Sequence, residues 1–243
     1  MEWSDKAIIL SARAHGEGHA VAELFSPERG RWSGLVYGGT GRKMSPLLQP
    51  GNRVAAHWRG RLEDSLGHFS LELTEPVAAG LLGERLPLAG LSAVTSVALA
   101  CLPEREAHPR IYDGLDIVLG TFEDADIWPV LMARWELGVL GDLGFGLNLE
   151  SCAATGATDD LIYISPKSAR AVSREAGLPY QSKLLPLPGF LRGTGSAPDL
   201  AAAIEGLHTT GYFLETRILH LANRTLPEAR VRVIDLLRTQ IDT

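Results

Sequence analysis

From Arg29 through Leu62 the chain carries Arg29, Arg31, Arg42, Lys43, Arg53, Arg59 and Arg61 but no aspartate or glutamate, and Trp32, Tyr37, His57 and Trp58 are interleaved with them. Cations neutralise phosphates and flat aromatic faces stack on unpaired bases, so this mixture of residue types suits a nucleic-acid strand. The same composition also describes a surface that lacks acids and keeps its aromatics in the core. Composition leaves both readings open. Within the run, Gly38-Gly39-Thr40-Gly41-Arg42-Lys43-Met44 resembles a phosphate-binding loop only faintly. It lacks the four-residue spacer between glycines, and Met44 stands where a magnesium-binding Ser or Thr belongs. A flexible basic loop that follows a phosphate backbone is the remaining use for it.

Other candidates for chemistry are sparser. His15, Glu17 and His19 alternate as metal ligands on a strand would, but Gly16 and Gly18 between them make a turn. Cys152-Ala153-Ala154-Thr155 has the spacing of half a zinc site, yet a structural zinc takes four nitrogen or sulfur ligands and no histidine lies between Gly146 and Ala197. Neither a nucleophile elbow nor an HExxH helix occurs. Glu123, Asp124 and Asp126 read as acids at a helix N-terminus rather than as a catalytic pair. The expectation is a protein that is not an enzyme and uses neither a metal nor a cofactor.

The elements that must position these residues follow from pattern. The chain has 243 residues, 45 % of them hydrophobic, which is enough for a sizeable core and excludes low-complexity disorder. Two cysteines cannot form a disulfide framework, which favours a reducing compartment. No cleavable leader is legible at Met1, and the uncharged stretch from Leu86 to Pro103 is broken by Pro87 and Gly90 and reads as a buried helix, not a membrane anchor. A cytoplasmic location is expected. The net charge of −6 is uneven: residues 1–80 balance to zero, residues 81–160 carry −9 and residues 161–243 carry +3, so the acidic block lies outside the basic run.

Up to about residue 80 the chain reads as β. Apolar centres at Ala7–Leu10, Val21–Ser26, Arg31–Tyr37, Arg53–Trp58 and His68–Leu73 are separated by Gly, Pro and polar turns, a spacing that suits a small Greek-key barrel such as an OB-fold, although SH3-like barrels read similarly. From Leu88 the period becomes helical, through Leu91, Val94, Ala98 and Leu102, then Ile111, Leu115 and Val118, then Ile127, Val130, Leu131, Trp135 and Leu140. Residues 141–195 are punctuated by Gly and Pro, with a hairpin expected between Leu161–Ile164 and Ala169–Val172. Helices return over Asp199–Leu221, capped by Asp199, and over Glu228–Ile241.

Read in order, several short stretches resemble the RecO family of bacterial recombination mediators along nearly the whole chain. They are Ala7-Ile8-Ile9-Leu10, Leu24-Phe25-Ser26-Pro27-Glu28-Arg29-Gly30, Leu47-Leu48-Gln49-Pro50, Ala133-Arg134-Trp135-Glu136-Leu137 and Ser165-Pro166-Lys167-Ser168-Ala169-Arg170. The resemblance implies an α+β protein with an N-terminal OB-fold, a helical body and a small irregular subdomain that carries zinc in some members. It implies binding to single- and double-stranded DNA, annealing of complementary strands, and help from RecR in loading RecA onto DNA coated by single-stranded DNA-binding protein (SSB). It also implies a groove for the acidic, hydrophobic SSB C-terminal tail, with Arg134 pairing its carboxylates and Leu137 and Leu140 lining the apolar part. Two departures stand out. Gly38 occupies a position where many members have lysine, and of the zinc cysteines only Cys152 is kept, with Thr155 at the second position and Ser173 at the third.

The expected organisation is an OB-fold over 1–80, a helical body over 81–145, a degenerate zinc-type subdomain over 146–195 and C-terminal helices over 196–243. Phosphates are assigned to Arg29, Arg31, Arg42, Lys43, Arg53, Arg59 and Arg61, and bases to Trp32, Tyr37 and Trp58. The rival readings are an adaptor that binds RecR and the SSB tail with only incidental DNA binding, and a hydrolase with an unrecognised acidic site.

Overall fold

The computed structural model describes residues 1–62, 64–195 and 197–241. All five expected apolar centres become strands: β1 (Glu2–His15), β2 (His19–Ser26), β3 (Gly30–Val36), β4 (Arg53–Arg59) and β5 (His68–Glu75). They close into a barrel in the order β1-β2-β3-β5-β4, the OB arrangement, with β3 and β5 parallel and every other pair antiparallel. β1 is long because it serves two partners. Its first half pairs with β4 and its second with β2, Ile8 touching both, and a register shift between Ile9 and Ser11 marks the bend.

Strand alternation decides which side chains reach the outside. In β3, Gly30, Trp32, Gly34 and Val36 are buried while Arg31, Ser33 and Leu35 on the other face are only partly buried. In β4, Val54, Ala56 and Trp58 face in and Ala55, His57 and Arg59 face out. The interleaving of cations with tryptophans is therefore the barrel's own inside-outside period. This corrects two expected base-stacking residues: Trp32 and Trp58 are 4 % and 1 % exposed and pack with Trp3 and Phe69 in the core. Trp3 and Trp58 stack with centroids 6.3 Å apart, and Trp32 meets Trp58 edge-on at 5.3 Å. The Trp58 indole N–H donates to Leu66 O at 3.1 Å, and Gly67 (φ +56°) lies so close that a Cβ would fall 2.5 Å from the ring. No base can stack on either indole in this arrangement.

By packing, the chain forms two compact units: residues 1–123 with 227–230, and residues 124–226 with 231–243. The four segments expected from sequence divide the chain by pattern rather than by packing, and their limits at 196 and 243 fall outside the described residues. In the first unit, after the short helix α1 (Val77–Gly80), α2 (Arg85–Cys101) and α3 (Pro109–Leu119) pack near the barrel. α2 buries Leu91, Val94, Thr95, Val97 and Ala98, and among the described residues no helix is long and apolar enough to cross a membrane.

The second unit is built on α4 (Trp128–Asp142) and α6 (Leu200–Phe213). Asp199 caps α6 as expected, accepting from Ala202 N–H at 2.8 Å. A regular helix ends at Phe213 rather than Leu221, because residues 214–218 widen into a π-turn before Asn223 stops the segment in a left-handed conformation. Between the helices, β6 (Leu161–Ile164) pairs with β7 (Ala171–Ser173), which is followed by the short α5 (Arg174–Gly177). The expected hairpin is present, but its second strand starts later because Ala169 adopts φ +56° in the turn. A third strand, β8 (Leu185–Pro186), pairs on the other side of β6. Two residues ending in proline gave no strand signal. Of α7 (Glu228–Ile241), the part from Val231 on belongs to this unit and buries Val233 and Leu237.

Candidate nucleic-acid interface

Strand registers sort the basic run by barrel end. Ile8, Phe25, Ser26, Gly30, Arg53 and Glu75 lie around one end, and His19, Val36, Arg59 and His68 around the other. The first end faces acids. Arg31 pairs with Glu23 at 3.0 Å and Glu104 at 3.2 Å and donates to Leu102 O; it is 13 % exposed. Arg53, 16 % exposed, grips Asp116 at 2.5 Å and Glu75 at 2.6 Å. Burial works against the charge on Arg53, but the bonds to Asp116 and Glu75 outweigh it and raise its pKa. Both arginines hold the barrel to its surroundings and have their charge answered within the unit, so neither is free to take a phosphate. Arg29 is exposed on the β2–β3 turn of the same end. That turn is fixed by Ser26, whose hydroxyl donates to Asp5 and accepts from Arg29 N–H, and by Gly30, where a Cβ would fall 1.9 Å from Glu106 O.

The second end is different. Arg42, Lys43, Arg59 and Arg61 are exposed, and among the described residues none of them forms an ion pair. The loop bearing Arg42 and Lys43 starts there: Gly38 N–H donates to His19 Nδ1 at 3.2 Å and Thr40 N–H to Gly18 O at 3.3 Å. Its far limb is pinned. Leu47 and Leu48 enter the barrel core, and buried Asn52 donates to Pro46 O and Leu47 O while accepting from Ala78 N–H. The expected flexible basic loop is thus anchored at both limbs around a solvent-facing cationic turn.

Of the three aromatics expected to meet bases, only Tyr37 lies outside, at 60 % exposure. His19 meets its ring edge-on at 5.3 Å and His68 lies tilted against it at 5.6 Å. Sequence reasoning weighed His19 only as a possible metal ligand and gave His68 no role. Their signal was positional, since each follows a turn glycine (Gly18 and Gly67) at the start of a strand whose end of the barrel also holds Tyr37. His15, Glu17 and His19 form the expected turn, with Gly16 and Gly18 at positive φ, and no metal-type cluster occurs among the described residues.

Two family models match the chain, and they divide it after the barrel rather than between the two packed units. Residues 1–77 match the family model for the recombination protein O N terminal, and residues 84–227 match the one for its C terminal. The chain is 48 % identical over 236 residues to the DNA repair protein RecO of Roseobacter denitrificans, covering 97 % of this chain and 98 % of that one. It is 48 % identical over 237 residues to the DNA repair protein RecO of Caulobacter vibrioides strain NA1000, covering 98 % of each. The chain belongs to the RecO family.

Zinc, carried by some RecO members, does not fit the residues of this one. Cys152 is buried, and its sulfur accepts from Ser173 N–H at 3.3 Å and Ser173 Oγ–H at 3.4 Å. Thr155 adds a further side-chain hydrogen bond. Thr155 and Ser173, expected at the second and third ligand positions, therefore turn hydrogen-bond donors toward the sulfur, where a zinc site would aim lone pairs at the ion, and a single thiol cannot hold one. Burial opposes ionisation of Cys152, but the bonds from Ser173, Thr155 and the backbone prevail and lower its pKa to about 6.

The RecO motif Arg134-Trp135-Glu136-Leu137 is split by the helix it lies on. Arg134 is exposed, and Leu137 borders a solvent-open cavity of about 390 Å³ together with Leu147, Leu149, Leu191 and Arg192. Leu140, expected in the same groove, is fully buried, because α4 turns that side toward the core with Glu136 and Val139. Glu136 is a structural residue that accepts from Thr210 Oγ–H of α6 at 2.5 Å.

Proposed function

We propose that this chain is a DNA repair and recombination mediator that binds single- and double-stranded DNA at one end of its barrel and anneals complementary strands. With RecR it would help RecA load onto SSB-coated single strands, acting in the cytoplasm on nucleoid DNA and without catalysis. The observation that carries this reading is the sorting of charge. Arg31 and Arg53 are consumed by acids at one barrel end, whereas Arg42, Lys43, Arg59 and Arg61 face solvent at the other beside exposed Tyr37. Cations that face solvent and an exposed aromatic ring suit a strand whose phosphates are neutralised and whose bases are splayed. Annealing follows when a neutralised strand keeps most base edges free to pair.

The SSB tail is assigned to the cavity beside Leu137, with Arg134 one helical turn away on α4. A guanidinium takes the acidic end of such a tail and the leucine-lined hollow takes its apolar side chain. Leu140 drops out of this assignment. The cavity also keeps an adaptor reading in play, in which RecR and the SSB tail are the main ligands and DNA is incidental.

Titration of a labelled single-stranded oligonucleotide by fluorescence anisotropy at several salt concentrations separates the two. The mediator reading expects log affinity to fall steeply with log salt, by about 0.7 per phosphate neutralised. Background binding at low salt, alongside tight binding of an SSB-tail peptide, would leave the adaptor.

A further inference from the structure

Tyr37 leaves the barrel at the end of β3, where a lone exposed tyrosine would swing freely. Two rings restrain it. His19, first residue of β2, contacts it edge-on at 5.3 Å with planes at 89°, and His68, first residue of β5, lies at 5.6 Å with planes at 52°. Neither contact is a parallel stack, and 60 % of the tyrosine stays open. The two histidines are held independently of Tyr37. Backbone pairing sets His19 opposite His15 and His68 opposite both Leu35 and Arg59. His19 Nδ1 also accepts the Gly38 N–H, so the same ring that bounds Tyr37 fixes the root of the cationic loop.

We propose that His19 and His68 are positioning residues that hold Tyr37 as a preorganised stacking platform for one unpaired base, with Arg59 and the Arg42-Lys43 turn set to take the flanking phosphates. This rests on the DNA-binding reading above and gives that site one contact that only single strands can use. A base in a duplex keeps its faces covered by its neighbours, whereas an unpaired base offers a free face to the ring. Because three strand ends fix the bracket before any strand arrives, binding does not have to freeze the tyrosine.

Stacking and phosphate neutralisation leave different marks on a salt titration. Removing a cation reduces the slope of log affinity against log salt; removing a stacking ring lowers affinity at every salt concentration and leaves the slope unchanged. The test uses the full chain, labelled oligothymidylate, and the same strand paired with oligodeoxyadenylate. Tyr37→Ala is expected to weaken single-strand binding roughly tenfold at constant slope, with duplex affinity held. His68→Ala is expected to go the same way, while His68→Phe, which keeps a ring against Tyr37, restores binding. The Tyr37→Ala/His68→Ala double variant is expected to be no worse than Tyr37→Ala alone, since a bracket without its ring has nothing left to hold.

Wild-type affinity in folded His68→Ala and His19→Ala, a reduced slope in His68→Ala, or additive losses in the double variant would overturn the platform. So would loss of binding in His68→Phe. An Arg42→Glu/Lys43→Glu variant serves as the separate check. If it loses affinity and slope while the ring variants do not, only the platform falls. If it also binds as wild type does, the DNA-binding reading falls with it.

Discussion

Arg53 and Arg59 open and close the same seven-residue strand, yet Arg53 is locked between Asp116 and Glu75 while Arg59 holds its charge in solvent with no ion pair among the described residues. About 20 Å of extended chain separates them. One strand thus carries a structural cation at one end and an available one at the other, and substitutions at its two ends should have opposite signatures.

Arg53→Met removes charge-assisted bonds and leaves Asp116 without its partner, which is expected to cost roughly 2 kcal/mol in urea unfolding. DNA affinity per folded molecule stays at the wild-type level. Arg59→Glu is expected to do the reverse, with unfolding unchanged within about 0.5 kcal/mol and single-strand affinity falling. A loss of affinity in folded Arg53→Met would show that the acid-bound arginine also serves DNA.

For the cationic loop, Arg42→Glu/Lys43→Glu is expected to lower the salt slope by about 1.4, corresponding to two phosphates on a single strand. The loop's anchors at Gly38, Leu47 and Asn52 lie outside the substituted pair, so circular dichroism and melting temperature hold. Unchanged affinity in the folded double variant would sink the loop assignment.

The five strands were legible in the sequence because turn glycines and apolar centres alternate cleanly over residues 7–73; their order was not, since the same spacing suits other small barrels, and the OB arrangement was implied only by the RecO resemblance. The basic run was legible too, but only as a line. Whether a cation on it meets an acid depends on Glu104 and Asp116, which lie far away in sequence on the acidic stretch, and no local pattern announces those pairings. The tryptophans misled for a related reason. Trp32 between Arg31 and Ser33, and Trp58 between His57 and Arg59, show the alternation that buries them, yet composition alone makes them look like partners of the neighbouring arginines. Tyr37 differs because it stands one residue past the end of β3, where the inside-outside period no longer binds it.

Trp58 tests that distinction. Trp58→Phe should lower stability through the lost bond to Leu66 O and the smaller ring, by about 1–3 kcal/mol, without changing single-strand affinity in the folded protein. A tenfold affinity loss at unchanged stability would put the base on the indole after all.

Cys152 makes stability depend on pH. Its thiol titrates near 6 in the fold and at its ordinary, higher value in the unfolded chain, so between about pH 6 and 8.5 the unfolded state binds more protons. Stability should therefore rise with pH across that window, by at most about 1.4 kcal/mol per unit, and this contribution is lost as pH falls through 6. Urea titrations of the wild type and Cys152→Ala at pH 6, 7 and 8 check it: the slope should flatten in the variant. Chelator should leave the wild-type midpoint unmoved, whereas a chelator-sensitive midpoint would point to a metal.

On α4, Arg134→Glu and Leu137→Glu are expected to weaken binding of an SSB-tail peptide at least tenfold with little change in stability. Leu140→Ala, a truncation in the core, is expected to cost about 2–5 kcal/mol and leave peptide affinity alone in the folded fraction. Isothermal titration calorimetry reads both.

Among the described residues the barrel closes through a single strand-to-strand register pair, Leu35 with His68, supported by Leu35 N–H donating to Gly67 O at 3.1 Å. Every other neighbour pair is laced along most of its length, so this seam is where the cylinder should breathe first, and amide hydrogen exchange should be faster at Leu35 than at the inner pairs of β1 and β2. The seam opens beside Tyr37 and Arg59. A single strand laid across that end would clasp both sides of it, so a nucleic acid bound there should act as the missing stitch and slow exchange at Leu35.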